Sequence, residues 1–431
     1  MSRAVKTTVI ALSLVVFLYV AMGYVLGQTS DDRSYRALTP FIEVLQHIQQ
    51  DYVEEPNIPL VTSGALHGLL EALDPQSSYL APREYAEYKK ELQNGHKGET
   101  GAQLSKRFGY IAVVSVLPDS PAYKAGLLSG DILEAIAGFS TRDMSVSQAQ
   151  VLMAGEPGTG LKVTLISRRP GTGTQGEDVD IVRREITLPQ IESDRLEGGV
   201  AYIRVPALDA GKSAAIRNRL EQFDRQGAHK LVLDLRDCAV GDITEAVETA
   251  RLFVPAGTLT TLKGQTVATK EFAAEPAKVV WKHPYTVLIS GGTAGAGEVL
   301  AAALGGNPGA WSAKDAAGGP ANAKVELVGQ RTFGTASEQK LIPLEDGAAL
   351  VLTVAKYYTP AGKVILEEGV APTVEVRETQ GPDDDEAAKP ETPPSDETLK
   401  KALEILQGSP NVEPKPQAQV HQHSRTRAIP A

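Results

Sequence analysis

Ile289-Ser290-Gly291-Gly292-Thr293-Ala294-Gly295-Ala296-Gly297-Glu298 joins an apolar run, Tyr285 to Ile289, to an alanine-rich run, Val299 to Leu304. The first is short, continuous and followed by turn residues, as a buried strand is, and the second predicts a helix entered at Glu298. A strand, a tight turn and a helix in succession form the setting in which many hydrolases raise a catalytic serine. At the tip of this turn stands Gly295, which has no side chain. The glycines also raise a phosphate-loop reading. That reading fails on spacing, because Leu300 takes the third position of Gly-x-Gly-x-x-Gly and no Gly-Lys-Ser/Thr follows.

Outward from this turn, strands and helices alternate. Val200 to Val205 and Lys230 to Leu235 read as strands, Gly211 to Gln226 and Thr244 to Phe253 as helices. A strand pair flanks the turn Glu345-Asp346-Gly347 and runs through Ala349 to Val354. The succession predicts a mixed α/β core over residues 191–377. Within it, Gly305 to Ala323, rich in Gly and Ala with Pro308 and Pro320, reads as a flexible insertion.

The chain has 431 residues and a net charge of −10. Between Glu378 and Glu397 eight acids face one base, Lys389, so this stretch of the tail over 378–431 carries −7 by itself. Its proline and acid content predict disorder, apart from a short helix at Glu397 to Gln407 stopped by Gly408. His421 and His423 stand in this tail without further ligands, so no metal site is expected there, and nothing calls for a cofactor. The body is mildly acidic and shows no basic stripe, so no nucleic-acid partner is expected.

Arg3 and Lys6 precede an uncharged apolar run whose centre, Val9 to Leu26, is just long enough to span a bilayer. Residues 1–30 are therefore expected to form a transmembrane helix contacting the membrane through residues 7–27. The flanking positives would keep the N-terminus cytoplasmic and export the body. A cleaved signal peptide is the competing reading, with Gly23 and Gly27 offering a poor cleavage site. Cys238 is the single cysteine, which suits a bacterial envelope protein built without disulfides. Helices at Arg36 to Gln49, Val61 to Leu73 and Pro82 to Leu92, with Ser78-Tyr79-Leu80 between the last two, predict an N-terminal helical cap over 31–95.

Residues 96–190 read as a β-rich module with strands at Tyr110 to Val114 and Leu161 to Ser167. Ser120-Pro121-Ala122-Tyr123-Lys124-Ala125-Gly126-Leu127-Leu128-Ser129-Gly130-Asp131-Ile132 closely resembles the PDZ signature. Ser145 to Met153 would be the longer PDZ helix, with Val146, Ala149 and Leu152 or Met153 facing the groove. Such modules add an extended C-terminus as a strand and hold its carboxylate on backbone amides. Here that loop would be Gly98-Glu99-Thr100-Gly101-Ala102, and Glu99 would repel an incoming carboxylate. Protein or peptide C-termini are the expected partners.

Four further elements carry a wider resemblance. They are Leu73-Asp74-Pro75-Gln76-Ser77-Ser78-Tyr79-Leu80, Leu235-Arg236-Asp237-Cys238-Ala239-Val240-Gly241, Thr332-Phe333-Gly334-Thr335-Ala336-Ser337-Glu338-Gln339 and Tyr357-Tyr358-Thr359-Pro360-Ala361-Gly362-Lys363. With the glycine turn they resemble the C-terminal processing (tail-specific) serine peptidases, from Arg36 to Val376. The resemblance implies a serine–lysine peptidase scaffold, but its serine aligns with Gly295 and its lysine with Thr335. Gln339 matches the glutamine that orients the lysine. The oxyanion-hole positions fall at Val240, Gly241 and Ala296, with the loop's proline and first glycine replaced. The implied protein is an inactive homologue that binds chain termini, with an active peptidase paralogue or a second copy as further partner. The alternative is an active peptidase using displaced groups, for which Thr293, Ser337, Cys238 and Lys340 are the candidates.

Overall fold

The computed structural model describes residues 14, 17, 32–94, 97–142, 144–166, 176–307, 325–376 and 396–408. The span expected over 7–27 lies almost wholly outside the described residues. So do the insertion beyond Asn307 and most of the tail, His421 and His423 included. Among the described residues no helix is long and apolar enough to cross a membrane.

The chain divides into two compact units, residues 1–66 and 67–431. The first holds helix α1 (Asp32–Asp51) and most of α2 (Ile58–Glu71). In the second, Ser78–Leu80 corrects the sequence reading. It is not part of a helical cap but a fully buried strand, β1, paired antiparallel with residues 349–351. Three residues are too few to show a period, and the partner strand lies far along the chain. Helix α3 (Pro82–Asn94) follows, its entry capped by the Glu84 carboxylate accepting the Ala81 amide at 2.8 Å.

The next module is an antiparallel sheet of β2 (Ala102–Arg107), β3 (Tyr110–Val116), β4 (Ile132–Ile136), β5 (Phe139–Ser140), β6 (Gly160–Leu165) and β7 (Glu177–Val182), in spatial order β2-β3-β4-β6-β7 with β5 on β4. Helices α4 (Pro121–Lys124) and α5 (Val146–Met153) cover it. Ser145 and Gln148 cap α5 reciprocally, side chain to backbone in both directions. Its core of Ile111, Val113, Leu127, Leu133, Ile136 and Val163 is closed to solvent.

The remaining residues build the α/β core. Its elements in chain order are β8 (Glu192–Arg195), β9 (Ala201–Arg204), β10 (Ala207–Leu208), α6 (Lys212–Arg225), β11 (Leu231–Asp234), β12 (Val240–Gly241), α7 (Ile243–Arg251), β13 (Thr258–Lys263), β14 (Lys270–Ala273) and β15 (Tyr285–Ile289). They continue with α8 (Ala296–Gly306), β16 (Leu327–Gly329), β17 (Ser337–Pro343), β18 (Ala349–Tyr358), β19 (Val374–Glu375) and α9 (Glu397–Gln407). A central sheet runs β19-β16-β15-β11-β9-β8, parallel except at the β8 edge. Its strands are covered on both faces, which is why they read as continuous apolar runs. Leu231, Leu233, Val287 and Ile289 face the main core with α6, α7 and α8, while Val232 and Leu288 face the other way, toward Ala402 and Leu406 of α9. A second, antiparallel sheet, β1-β18-β13-β14 with β17 on β18, packs Leu259, Leu262, Ala355 and Tyr357 into the same main core.

Helix α9 is clamped by charge. Arg236 donates to both Asp234 and Asp396, at 2.6 and 2.8 Å from Nη2, and Asp396 caps α9 by accepting the Leu399 amide at 2.8 Å. Burial raises the Asp396 carboxyl, but the Arg236 guanidinium and the Leu399 amide outweigh it and hold it below its ordinary value. A carboxylate depressed in the folded state contributes stability above its unfolded pKa, about 3.9, and loses it as the pH falls through the lower folded value. Helix α9 is therefore expected to loosen in acid before the sheet does. Amide hydrogen exchange checks this: residues 399–406 should lose protection well below pH 4 while β11 and β15 keep theirs. Arg236→Ala should bring that loosening up to neutral pH.

Candidate functional site

Ligand sites in open parallel sheets gather at the carboxyl ends of the strands, and two of the sequence-derived loops lie there. The loop from Leu235 follows β11, and the turn from Ser290 follows β15. They are stitched together. The Asp237 amide donates to Ser290 Oγ at 3.1 Å, and the Ala294 amide donates to the Cys238 carbonyl at 3.0 Å. Gly297 packs so tightly against the Cys238 carbonyl that a Cβ there would collide with it.

Gly295 caps α8 with φ 53° and ψ −113°, a backbone conformation that side-chain-bearing residues adopt only under strain. The space beside it is nevertheless open. A Cβ on Gly295 would have the Ala239 carbonyl at 3.8 Å and Thr335 Oγ1 at 3.9 Å as its nearest neighbours. The cradle for a side chain is present while the side chain is not. Thr335 stands directly across, its Oγ1 accepting the Gly295 amide at 3.0 Å. The tertiary fold thus brings together the two positions that the resemblance paired.

Glu298 holds them in place. This carboxylate is fully buried and accepts four hydrogen bonds: from Thr332 Oγ1 at 2.6 Å, and from the amides of Gly334 at 2.5 Å, Thr335 at 2.8 Å and Gly295 at 2.9 Å. Burial pushes its pKa up, and the four donors pull the other way. Sequence reading saw only the entry to α8 at this residue. An acid three positions after a cap hints at the Gly295 contact, but nothing local reveals the three partners at 332–335.

A cavity of 270 Å³ opens beside these residues, lined by Gln76, Gln103, Leu104, Val114, Gln150, Ala239, Ala294, Thr335, Ser337 and Gln339. None of these side chains ionises, and four are carboxamides. Gln339 lines the wall and donates from Nε2 to the Gln76 carbonyl at 3.0 Å. Val240 and Gly241 form β12, paired parallel with Ala207 and Leu208. From that loop it is Ala239 that reaches the cavity. The Ala296 amide is the first of α8, where helical geometry supplies no internal acceptor.

The displaced candidates are occupied elsewhere. Thr293 is fully buried, donates its hydroxyl proton to the Leu235 carbonyl at 2.8 Å and accepts the Ser290 amide at 3.0 Å. Burial, reinforced by Asp234 and Asp237, pushes the Cys238 thiol up to about 12, so no thiolate forms near neutral pH. Ser337 does line the cavity, with its hydroxyl donating to the Thr335 carbonyl at 3.2 Å. Lys340 is exposed and off the cavity wall.

A second depression of 220 Å³ is the groove between β2 and α5, lined by Glu99, Thr100, Gly101, Ala102, Gln103, Leu104, Gln150, Met153 and Ala154. It shares Gln103, Leu104 and Gln150 with the cavity beside Gly295, so the two adjoin. The amides of Gly98 and Glu99 are engaged by the carbonyls of Gly155 and Arg184 and are not presented to a ligand. On α5 the exposed groove residue is Gln150, and Met153 borders the groove while being buried in the module's core. Val146 and Ala149 belong to the module's core, and Leu152 lines a separate depression with Tyr88 and Phe139. The helical period would have grouped Val146 with Gln150 and Met153, but a polar Gln150 gave no apolar signal.

Comparison with known proteins agrees with this architecture. Models of peptidase family S41 match residues 199–313 and 316–376, and a PDZ domain matches residues 113–167. The carboxy-terminal-processing protease of Bartonella bacilliformis is 29% identical over 367 residues, 83% of this chain and 79% of its own length. The carboxyl-terminal-processing protease of a Picosynechococcus species is 32% identical over 304 residues, 69% of each chain. Among solved structures, the photosystem II D1 C-terminal processing protease superposes with a TM-score of 0.62 at 25% identity, covering 85% of this chain and 94% of that one. By these matches, and by the PDZ module joined to its α/β core, the chain belongs to peptidase family S41.

Proposed function

We propose that this protein is a catalytically silent member of its family that binds the C-terminal segments of other proteins and does not cut them. The observation that carries the reading is the open cradle at Gly295, hydrogen-bonded to Thr335 at the edge of a cavity lined without one ionisable side chain. Covalent peptide hydrolysis needs a nucleophile and a base within hydrogen-bond reach of each other. Here the hydroxyls at hand, on Thr335 and Ser337, have no base among the cavity's lining side chains. What remains is a groove adjoining a carboxamide-lined pocket. Carboxamides both donate and accept, so Gln76, Gln103, Gln150 and Gln339 can pair with the backbone of an extended peptide.

The N-terminal sequence supports placing the protein in a bacterial envelope. It would be anchored through residues 7–27, with the body outside the cytoplasm, where it would hold unfolded tails for an active peptidase relative or for a second copy. The test is a paired measurement on the chain with unfolded proteins ending in apolar residues. Fluorescence anisotropy should show saturable binding that weakens by about tenfold or more on Gln150→Glu, which puts a charge on the exposed groove wall without disturbing the core. Product analysis should show no cleavage. Cleavage that disappears on Ser337→Ala, Thr293→Ala or Cys238→Ala would sink the proposal in favour of a peptidase with displaced groups.

A further inference from the structure

At the opposite, amino-terminal edge of the central sheet, three metal-ligating side chains converge. Asp224 ends α6, His229 stands two residues before β11, and His283 two residues before β15. One ligand atom from each lies within 4.8 Å of the other two. His283 is 5% exposed, and its Nε2 is 2.9 Å from Asp224 Oδ1. The imidazoles of His229 and His283 meet edge to face, with ring centroids 4.7 Å apart, and Trp281 walls off the far side of His283 at 5.1 Å. His229 Nδ1 and His283 Nδ1 are both buried and meet no hydrogen-bond partner among the described residues. Buried polar atoms are ordinarily satisfied, so the orphaned His229 Nδ1 beside the Asp224–His283 pair points to a missing ligand, whereas His283 Nδ1 points away from its own Nε2 and cannot share that ion.

We propose that Asp224, His229 and His283 form a binding site for a divalent transition-metal ion of the zinc class, unrelated to the peptidase-like site. Two imidazoles and a carboxylate are a donor set suited to Zn²⁺. Binding replaces the proton shared by His283 Nε2 and Asp224 Oδ1, which passes to solvent, and draws the three donors to about 2.0–2.2 Å from the ion. The exposed Asp224 side leaves a fourth position for water. The strand β15 alone, at about 3.3 Å per residue, separates this cluster from the glycine turn by roughly 16 Å. The ion's role is to tie the end of α6 to the entries of two central strands.

Metal content after dialysis of the full, tag-free chain against limiting Zn²⁺ tests this. One Zn²⁺ per chain should remain, and it should persist in the tail variant H421Q/H423Q. It should disappear in D224N/H229Q, whose affinity should fall by at least about a hundredfold given what even outer-shell changes cost. Co²⁺ in its place should give the visible absorption of a tetrahedral site, and Zn²⁺ should slow amide exchange at 225–231 and 281–286 in the wild-type chain. Equal zinc retention by wild type and D224N/H229Q would overturn the proposal, as would loss of the ion with the tail histidines. Should the variant fail to fold, unchanged exchange at those amides on adding Zn²⁺ to the wild type would overturn it equally.

Discussion

A chain carrying both Gly295→Ser and Thr335→Lys is expected to gain proteolysis of at least about a thousandfold over the wild-type background. A nucleophile or its base is worth on the order of a millionfold in a serine peptidase, so even a partial recovery of that machinery is large. The geometry favours it. The Cβ of a serine at 295 enters open space, and Thr335, directly opposite, already borders a cavity with room for a longer side chain. A lysine there would be partly desolvated, which lowers its pKa toward that of a usable base. The serine adopts a positive φ at a cost of about 1–3 kcal/mol, so the variant should also be less stable. Each single variant should stay near background, since neither group works without the other. Mass spectrometry of an unfolded protein with an apolar C-terminus reads the outcome. A folded double variant that still cuts nothing would show that a serine and a lysine at these two positions are not enough for cleavage.

The second large effect is on stability. Glu298→Gln is expected to destabilise the protein by about 3 kcal/mol or more, seen as a lower urea midpoint with an unchanged slope. Both carboxylate oxygens now accept two donors each, from Thr332, Gly334, Thr335 and Gly295. A carboxamide would keep one acceptor and turn an N–H₂ group against two buried donors, leaving them unsatisfied. Thr332→Val removes a single donor to the carboxylate and should cost only about 1 kcal/mol. An equal effect from the two variants would show that Glu298 acts through volume and not through its charge-assisted bonds.

Local pattern was informative wherever one segment carries its own signal. Tyr285–Ile289 and Glu397–Gln407 have the bounds their residues predict, the first as a buried apolar run and the second ended by Gly408. The pair at 258–263 and 270–273 was passed over, because its alternation is broken by Thr and Lys and its partners are on β18. Strand β1 escaped for a similar reason, being short and paired only at long range.

The chain's sequence by itself determined that a PDZ-like module precedes an α/β core, and it set glycine at 295 and threonine at 335, where the resemblance implies serine and lysine. Those facts are matters of residue identity and of period, which neighbours along the chain suffice to express. Only the tertiary structure decided that Gly295 keeps a strained, open cradle, that Glu298 ties it to Thr335, and that four glutamines wall the empty pocket. It alone brought Asp224, His229 and His283 together. Each of these rests on contacts between segments tens to hundreds of residues apart, and such contacts exist only once the sheets have closed over a common core.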